Sequence, residues 1–346
     1  MGSKRYAILL PVIVLICGWY GWRFYPRQQM PVGTPVAVLT PEFEIYRNDC
    51  LHPCIRPVGD GYVMAYSPYY KWNSRIENPI VSFSDSFTDW NHGVVLDDTP
   101  ETGFNSDPNV FVSDSVVYAF WRVCGTPLCS ELDKGEVVIG RKVSSADAGN
   151  EADNQVYISN AWPQGDVTQC PILMEHDGKY LFYAVWYAYE PERVNKGIAI
   201  WEGTSLEHPD FVLRDTVRFD NPLVCDKYVQ KKIGRRIWFV PVPKRYDLWH
   251  FDLFEYHGNL YMVSCAEKDD NIMLSVSEDW IHFRTMRTPL VNNHCSENHT
   301  GYRQYYYKPT ALVRQDTLVL FYTANSQDDP DRNQLFMSMM KMPENR

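Results

Sequence analysis

The sequence has little positive charge to spare. Its 33 lysine and arginine residues are outnumbered by 43 aspartate and glutamate residues, which gives a net charge of −10. The only short basic run, KKIGRR at 231–236, is equally well explained as the turn region of a polar hairpin. Because phosphate backbones are bound by clustered positive charge, the sequence predicts a protein without a nucleic-acid partner.

Long hydrophobic runs are also rare, and the exception lies at the start of the chain. An apolar run extends from Tyr6 to Trp22, with basic residues on both sides of it. It is close to the shortest length that crosses a membrane, and no small-x-small cleavage site follows it. We therefore expect residues 1–29 to form a hydrophobic anchor helix, an uncleaved signal anchor with its N-terminus in the cytoplasm. A cleaved signal peptide is the alternative, and in both cases residues 30–346 are exported to the periplasm or the outside of the cell.

Cysteine pairs at metal-binding spacing are absent. Beyond Cys17 the closest pairs are Cys50 with Cys54 and Cys124 with Cys129. Neither pair has the Cys-x-x-Cys spacing of a zinc site, so the cysteines predict no metal ligand. In an exported chain the two pairs are instead candidate disulfides.

Helical periodicity is not found beyond the N-terminal run. The rest of the sequence instead contains a repeated pattern of β-strands. Five segments share two stretches of alternating apolar residues around a turn, and proline follows the first position in four of them. Five antiparallel repeats, each long enough for a four-stranded blade, predict an all-β protein with a five-bladed β-propeller over residues 30–346. A pair of β-sandwiches is the rival architecture, and the fixed spacing of first position and turn argues against it. The repeats open at His52, Asp107, Cys170, His250 and Lys308.

The first position of each repeat is predicted to face the centre of the propeller. The innermost strand of every blade follows the central channel, so equivalent positions converge at one end of it. Since side chains alternate between faces, the positions two residues further on point the same way. Charged groups gathered there must pair with each other or with a polar ligand, unless the channel is filled with water that solvates them. The second set of positions is Cys54, Asn109, Ile172, Asp252 and Thr310.

The chain resembles the five-bladed glycoside hydrolases of family 43 over residues about 45–340. The likeness is carried by the number of repeats, by the Asp-Pro-x-apolar opening at Asp107, and by the segments SFSDSFTDW and SVSEDWIHF. The segment LWHFDLFEYHGNLYMVSCA is similar to a motif of uncharacterised exported relatives. The resemblance implies hydrolysis of a glycosidic bond by a carboxylate base and a carboxylic acid.

The resemblance also implies roles for two of the converging carboxylates. Asp107 would act as the base or as an orienting carboxylate, and Asp252 as the second catalytic carboxylate. The family places its acid in a Glu-x-Pro context at the opening of the third blade, where this chain has Gln169. A glutamine cannot donate a titratable proton, so the acid has to come from elsewhere. The candidates are Glu190, Glu267, His52 and His250.

Other polar residues are predicted to bind the substrate, namely His52, His250, Lys308, Asn109, Gln169 and Arg122. Lys308 and Arg122, together with Arg303, would also suit an anionic sugar or a phosphate. No cofactor is required for this chemistry, and a calcium ion in the central channel is left open. Aromatic residues make up 14% of the chain, and those at hairpin ends are candidates for sugar stacking. They are Tyr69, Tyr70, Trp72, Trp121, Trp186, Tyr187, Trp249 and Tyr305–Tyr307.

We therefore expect an exported, membrane-anchored, monomeric protein that hydrolyses a glycosidic bond of an oligo- or polysaccharide. A non-catalytic glycan-binding propeller that has lost its acid is one alternative, and a scaffold protein of the cell envelope is another. Two carboxyl groups roughly 5–10 Å apart in a deep pocket would favour the enzyme. An aromatic channel mouth without a second carboxyl group would favour the binding protein, and a plugged channel would favour the scaffold.

Overall fold

A computed structural model describes most of the chain. The described residues are 34–38, 49–131, 136–145, 153–159, 167–190, 193–220, 224–233, 236–245, 248–266, 271–286, 289–292, 306–325, 329 and 331–342.

The described residues form five antiparallel sheets arranged as the blades of a β-propeller, which confirms the predicted fold class. The first short strand, β1 (Thr34–Val36), belongs to the last blade, and the remaining strands follow in chain order. Blade 1 contains β2 (Leu51–Val58), β3 (Gly61–Ser67), β4 (Ile80–Ser84) and β5 (Val94–Val95). Blade 2 contains β6 (Phe104–Ser113), β7 (Val116–Cys124), β8 (Glu136–Val143) and β9 (Gln155–Ile158). Blade 3 contains β10 (Val167–His176), β11 (Lys179–Glu190), β12 (Arg193–Gly203) and β13 (Val212–Thr216).

An inserted hairpin separates blades 3 and 4. After the short strand β14 (Arg218–Phe219), the hairpin is formed by β15 (Val224–Ile233) and β16 (Arg236–Arg245). Blade 4 contains β17 (Leu248–Tyr256), β18 (Asn259–Ala266), β19 (Asn271–Ser277), β20 (His282–Thr285) and β21 (Val291–Asn292). Strand β14 pairs in parallel with β20, and β21 pairs with β19, so both add to the outer part of this blade.

Blade 5 closes the ring. It contains β22 (Tyr306–Arg314), β23 (Thr317–Asn325) and β24 (Asn333–Lys341), with β1 as its outermost strand. The inner strands β2, β6, β10, β17 and β22 contact one another in a closed cycle. The hydrophobic core is divided accordingly: five clusters of buried apolar side chains each lie between two neighbouring blades.

A β-bulge interrupts the inner strand of every blade close to its start, and we call this side of the propeller the bulge end. In four blades the bulged residue has a left-handed backbone and is followed by proline. Proline has no N–H to contribute to a ladder, so it fits where the ladder is already broken. In blade 4 the register shift lies between Leu248 and His250 instead. The left-handed residues are His52, Asp107, Cys170 and Lys308, with φ of 54°, 51°, 53° and 24°.

The bulges explain how poor strand formers are accommodated inside these strands. A bulge redirects the side chain of its extra residue, and such features are common beside functional sites. In β6, Asp107 and Pro108 form the bulge, which turns the carboxylate of Asp107 out of the regular alternation.

One expectation from the sequence is corrected, and another concerns residues that the structure does not describe. The candidate disulfides are wrong, because Cys50, Cys54, Cys124 and Cys129 are separate buried thiols. Cys50 and Cys54 are separated along an extended chain, which carries their sulfur atoms too far apart for a bond. The anchor expected at residues 1–29 lies outside the described residues. Within them, helical structure is limited to α1 (Pro127–Glu131) and short 3₁₀ turns, and no helix is long and apolar enough to cross a membrane.

Candidate active site

Asp107 is the centre of a buried polar cluster at the bulge end. Its Oδ1 accepts a hydrogen bond from Nε2 of His250 at 3.1 Å and lies 3.5 Å from Nε2 of His52. Its Oδ2 forms an ion pair with Nε of Arg122 at 3.1 Å, a contact whose angle is too poor for a hydrogen bond. The two imidazole rings stack with their centroids 5.0 Å apart. The three residues predicted to converge from blades 1, 2 and 4 are therefore in contact.

The charges in this cluster are set by burial and by one permanent cation. Burial acts to raise the pKa of Asp107, but His52 and Arg122 outweigh it and hold the pKa well below its usual range. Burial lowers the pKa of His52 and of His250, although Asp107 partly opposes the effect. Because burial favours the neutral form of both imidazoles, the permanent charge of Arg122 and the hydrogen bond from His250 keep Asp107 ionised at neutral pH.

Glu77 is a second carboxyl group in the cluster, and sequence analysis missed it. It lies just before β4, the residue is 3% exposed, and its Oε1 lies 3.1 Å from Nδ1 of His52. The hydroxyl of Ser106 also donates a hydrogen bond to it. Burial raises the pKa of Glu77 to about 8, with a further contribution from the charge of Asp107. At neutral pH this group carries a proton, while Asp107 does not.

The two carboxyl groups lie on opposite sides of one imidazole ring. His52 contacts Glu77 through Nδ1 and Asp107 through Nε2. Nδ1 of His52 also makes a hydrogen bond with the hydroxyl of Ser67 at 3.3 Å, so its contact with Glu77 is one of two polar contacts at that nitrogen. The two contacts, on one ring, keep these carboxyl oxygens no more than roughly 9 Å apart, which is below the upper limit of roughly 10 Å for paired carboxyl groups in glycoside hydrolysis.

His250 has a nitrogen that no protein group among the described residues satisfies. Its Nε2 is engaged by Asp107, whereas Nδ1 is buried without a hydrogen-bond partner. The same is true of both amide atoms of Asn109 and of Oε1 of Gln169. Buried polar atoms are normally satisfied, so atoms left over beside a charged cluster indicate positions for water or a polar ligand. Asn109 and Gln169 were predicted to bind substrate, and that role stays a prediction.

The other predicted residues at the bulge end make internal contacts. Nζ of Lys308, which is fully buried, donates to the carbonyl of Pro108 at 3.1 Å. Arg122 also contacts Glu136 at 3.2 Å. Two of the three cations that the anionic-sugar alternative needed are therefore engaged within the protein, and the third, Arg303, lies outside the described residues.

Asp252 lies in a separate set of contacts on the next layer of the ring. Its carboxylate receives two hydrogen bonds from the guanidinium of Arg56, one of them 2.9 Å long. Thr310 donates a third at 2.6 Å, and the backbone N–H of Ala311 a fourth at 3.2 Å. The catalytic role of Asp252 stays a prediction, but these contacts occupy both oxygens and favour a structural role. The pair ties blades 1, 4 and 5 together.

The other candidates for the acid are not placed in the cluster. Glu190 ends β11, and nothing is described of its side chain; Glu267 lies outside the described residues. Glu77 escaped the repeat-based reasoning because it belongs to the loop between β3 and β4, not to an inner strand. The signal that could have found it is its place directly before Asn78-Pro79 and β4, on the loop that follows β3, the strand paired with β2.

One group of atoms in the cluster has the composition of a metal site. One ring nitrogen each of His52 and His250 and a carboxylate oxygen of Asp107 lie within 4.8 Å of one another. Two neutral imidazoles and a carboxylate are ligands that suit divalent transition metals, and the contact between Nδ1 of His52 and Glu77 resembles the outer-shell support such ligands have. Calcium prefers about six to eight oxygen ligands, which these side chains do not supply.

The comparisons with known proteins support the fold. No family profile and no curated protein sequence matches the chain. Among solved structures, an N-acetylgalactosamine deacetylase from F. plautii is similar, with 13% identity, a TM-score of 0.63, and 90% of this chain and 95% of that chain covered. A thermostable family-43 glycoside hydrolase is 14% identical, with a TM-score of 0.58 and coverages of 84% and 89%.

A third similar structure is the α-L-arabinofuranosidase of Lactobacillus brevis, with 13% identity, a TM-score of 0.54, and coverages of 84% and 90%. At these identities the likeness shows the fold and leaves the reaction open. The chain is thus a five-bladed β-propeller whose architecture is that of the family-43 glycoside hydrolases.

Proposed function

We propose that this protein is a glycan-active hydrolase that cleaves a glycosidic bond with the cluster around Asp107. The observation that carries the proposal is the pairing of a protonated carboxyl group, Glu77, with an Asp107–His250 dyad whose outer nitrogen is unpartnered. Acid and base in one buried site, with pKa values displaced in the directions that their tasks require, are the pattern of acid–base catalysis.

The chemistry assigns one step to each group. Nδ1 of His250 takes a proton from a water molecule, whose oxygen attacks the anomeric carbon. The bond from that carbon to the leaving oxygen breaks, and the carboxyl proton of Glu77 passes to the leaving oxygen. Asp107 holds the ring of His250 in place and stabilises its protonated form, as the carboxylate of a catalytic triad does. In this assignment Asp107 is the orienting carboxylate and Glu77 replaces the acid that Gln169 cannot supply.

The test is a panel of aryl glycosides and oligosaccharides with four proteins: wild type, Glu77→Gln, His250→Gln and Asp252→Asn. We expect the first two substitutions to lower kcat roughly 100- to 10,000-fold, the contribution of a positioned acid or base. Asp252→Asn is the matched substitution of a buried carboxylate with other contacts, and it is expected to retain kcat where the protein stays folded. Full activity of Glu77→Gln would exclude Glu77 as the acid, and loss of activity in folded Asp252→Asn would support the predicted catalytic role of Asp252. Glycan binding without cleavage by wild type would favour the lectin-like alternative.

A second candidate function, removal of an acyl group from a sugar with the help of a divalent metal, is favoured by the ligand geometry. His52, Asp107 and His250 would hold the ion, and a bound metal lowers the pKa of a coordinated water. The similar deacetylase adds weight to an acetylated sugar as the substrate. Release of acetate from acetylated aminosugars, lost on chelation and restored by Zn²⁺ or Mn²⁺, would establish this function. Glycoside cleavage that is insensitive to chelation would exclude it.

Export, membrane attachment through residues 1–29 and a monomeric state remain proposals. They rest on the apolar run near the start of the chain and on the absence of any need for a second subunit in the cluster as proposed. Fractionation of cells that express the full chain, with and without residues 1–29, tests the attachment: removal of the segment is expected to move the protein from the membrane to the soluble fraction.

A further inference from the structure

We infer that Trp72 forms a stacking platform for a sugar unit of the substrate, outside the unit whose bond is broken. The inference rests on the proposed function for its substrate class. The platform belongs to the loop that joins β3 to β4, and this loop starts at the bulge end, because Leu51, the neighbour of His52, pairs with Ser67 at the end of β3. The same loop ends by delivering Glu77 to the cluster.

The side chain of Trp72 is 50% exposed, whereas Trp121 and Trp201 are fully buried. An exposed indole offers a flat apolar face with a polar edge, which suits the apolar face and hydroxyl groups of a pyranose ring. Within the described residues, the other large apolar side chains that are exposed are Val116, Val212 and Met339, and none of them is aromatic.

The backbone at this position is held in a conformation that costs energy for any residue except glycine. Lys71 and Trp72 have φ of 55° and 60°, two consecutive left-handed residues. Such outliers persist only where the surroundings enforce them, and they concentrate at ligand-binding sites.

The enforcing contacts come from neighbouring elements. The N–H of Tyr69 donates to Oδ2 of Asp49 at 2.6 Å, and the N–H of Lys71 donates to the carbonyl of Asp331 at 3.2 Å. On the other side of the loop, the guanidinium of Arg75 donates to the carbonyl of Gly103 at 2.9 Å. The loop is therefore fixed to blade 5 and to the chain entering blade 2, so the platform is preorganised and little entropy is lost when a ligand binds.

Tyr69 connects the platform to the catalytic cluster. Its half-exposed ring packs edge-on against Trp72, with the centroids 5.8 Å apart. Glu77 lies further along the same loop, and its charge, after burial, contributes to a raised pKa of Tyr69. A saccharide unit stacked on Trp72 would therefore lie on the same loop that carries the buried carboxyl group of Glu77.

The test is binding of three trisaccharides found in the similar structures: the blood group B trisaccharide, xylotriose and β-1,3-galactotriose. Isothermal titration calorimetry would compare wild type with Trp72→Ala, Trp72→Phe and Met339→Ala, the last at a residue of similar exposure, 48%, on the outer part of blade 5. We expect Trp72→Ala to weaken binding of the preferred trisaccharide roughly tenfold, about the energy of one stacking contact. Trp72→Phe and Met339→Ala are expected to bind within about threefold of wild type.

Two outcomes would overturn the inference: unchanged binding by folded Trp72→Ala, or no binding of any of the three trisaccharides by wild type. Thermal unfolding of each variant shows whether it is folded, and Trp72→Phe retains an aromatic ring if alanine disturbs the loop. Binding that depends on Trp72 in a protein that cleaves no glycan would support the platform and contradict the proposed function. Glycan cleavage by wild type that is unaffected by Trp72→Ala, together with unchanged trisaccharide binding, would support the proposed function and contradict the stacking platform.

Discussion

Glu77 should make the stability of the protein fall as pH rises towards 8. The folded protein raises the pKa of this carboxyl group from 4.5 to about 8. Between these values the folded state holds a proton that the unfolded state has released, so each unit of pH favours unfolding by about 1.4 kcal/mol. Over the whole interval the effect is on the order of 5 kcal/mol, which is comparable to the net stability of many domains.

The window from pH 6.5 to 8 isolates this group from the other shifted residues of the cluster. Burial lowers the pKa of His52 and of His250 below 6.5, so their contributions lie mainly at lower pH. Asp49 is a buried carboxyl group whose pKa is raised by burial to about 6, and its effect is also nearly complete below the window. Within the window Glu77 alone predicts a loss of about 2 kcal/mol.

The assay is urea unfolding at pH 6.5 and pH 8 for wild type, Glu77→Gln and Asp49→Asn. Wild type and Asp49→Asn should both lose about 2 kcal/mol of unfolding free energy more than Glu77→Gln does across the window. Asp49→Asn is the matched control, because it removes a buried carboxyl group whose titration lies below the window. Equal losses in wild type and Glu77→Gln would refute a raised pKa at Glu77, and with it the protonated acid of the proposed mechanism.

Three further perturbations test other parts of the structure. Asp252→Asn is expected to lower the unfolding free energy by about 3 kcal/mol, because it leaves the buried guanidinium of Arg56 without its counter-charge. Chemical denaturation measures this loss, and a loss near zero would contradict the structural role of Asp252. Ser115→Gly is expected to stabilise the protein by about 1 kcal/mol, since Ser115 has φ of 66° in the turn between β6 and β7. The equivalent turn of blade 3 has Gly178 there with φ of 70°, so a thermal shift that is zero or negative would disagree with the strain argument. Val36→Asp places a charge at a residue only 1% exposed in β1, and a loss of about 3 kcal/mol is expected in urea unfolding; a smaller loss would mean that β1 contributes little to closing blade 5.

The repeats were predictable because each carries its own local signal. The sequence itself shows the alternating apolar residues, the turn at a fixed distance and the proline after the first position. These signals located four of the five bulge residues that the structure shows. The meeting of His52, Asp107 and His250 followed from the symmetry of a propeller without knowledge of any contact. In this part of the molecule local pattern determines position.

The partners of those residues were not predictable in the same way. Glu77 lies in a loop outside the repeat, and its burial beside His52 results from packing between elements distant in sequence. Asp252 looked like Asp107 at the level of the repeat, but Arg56 arrives from another blade and neutralises it. The strain at Trp72 was equally hidden, because no propensity rule predicts two consecutive left-handed residues in Lys71-Trp72. These long-range contacts therefore determine which carboxylate is paired in a structural contact and which is available for catalysis.

The closure of blade 5 by β1 has a consequence for how the protein is made. Thr34 pairs with Met337, so two strands on either side of the whole propeller sequence must find each other before the ring is complete. During synthesis, β1 leaves the ribosome before the other strands of the propeller and has no partner until β24 has emerged. Such long-range pairing is slow, and an unpaired strand edge is prone to aggregate while it waits. A chain that stops before residue 333 would lack β24 altogether, so truncated products are expected to remain open and to depend on chaperones or be degraded.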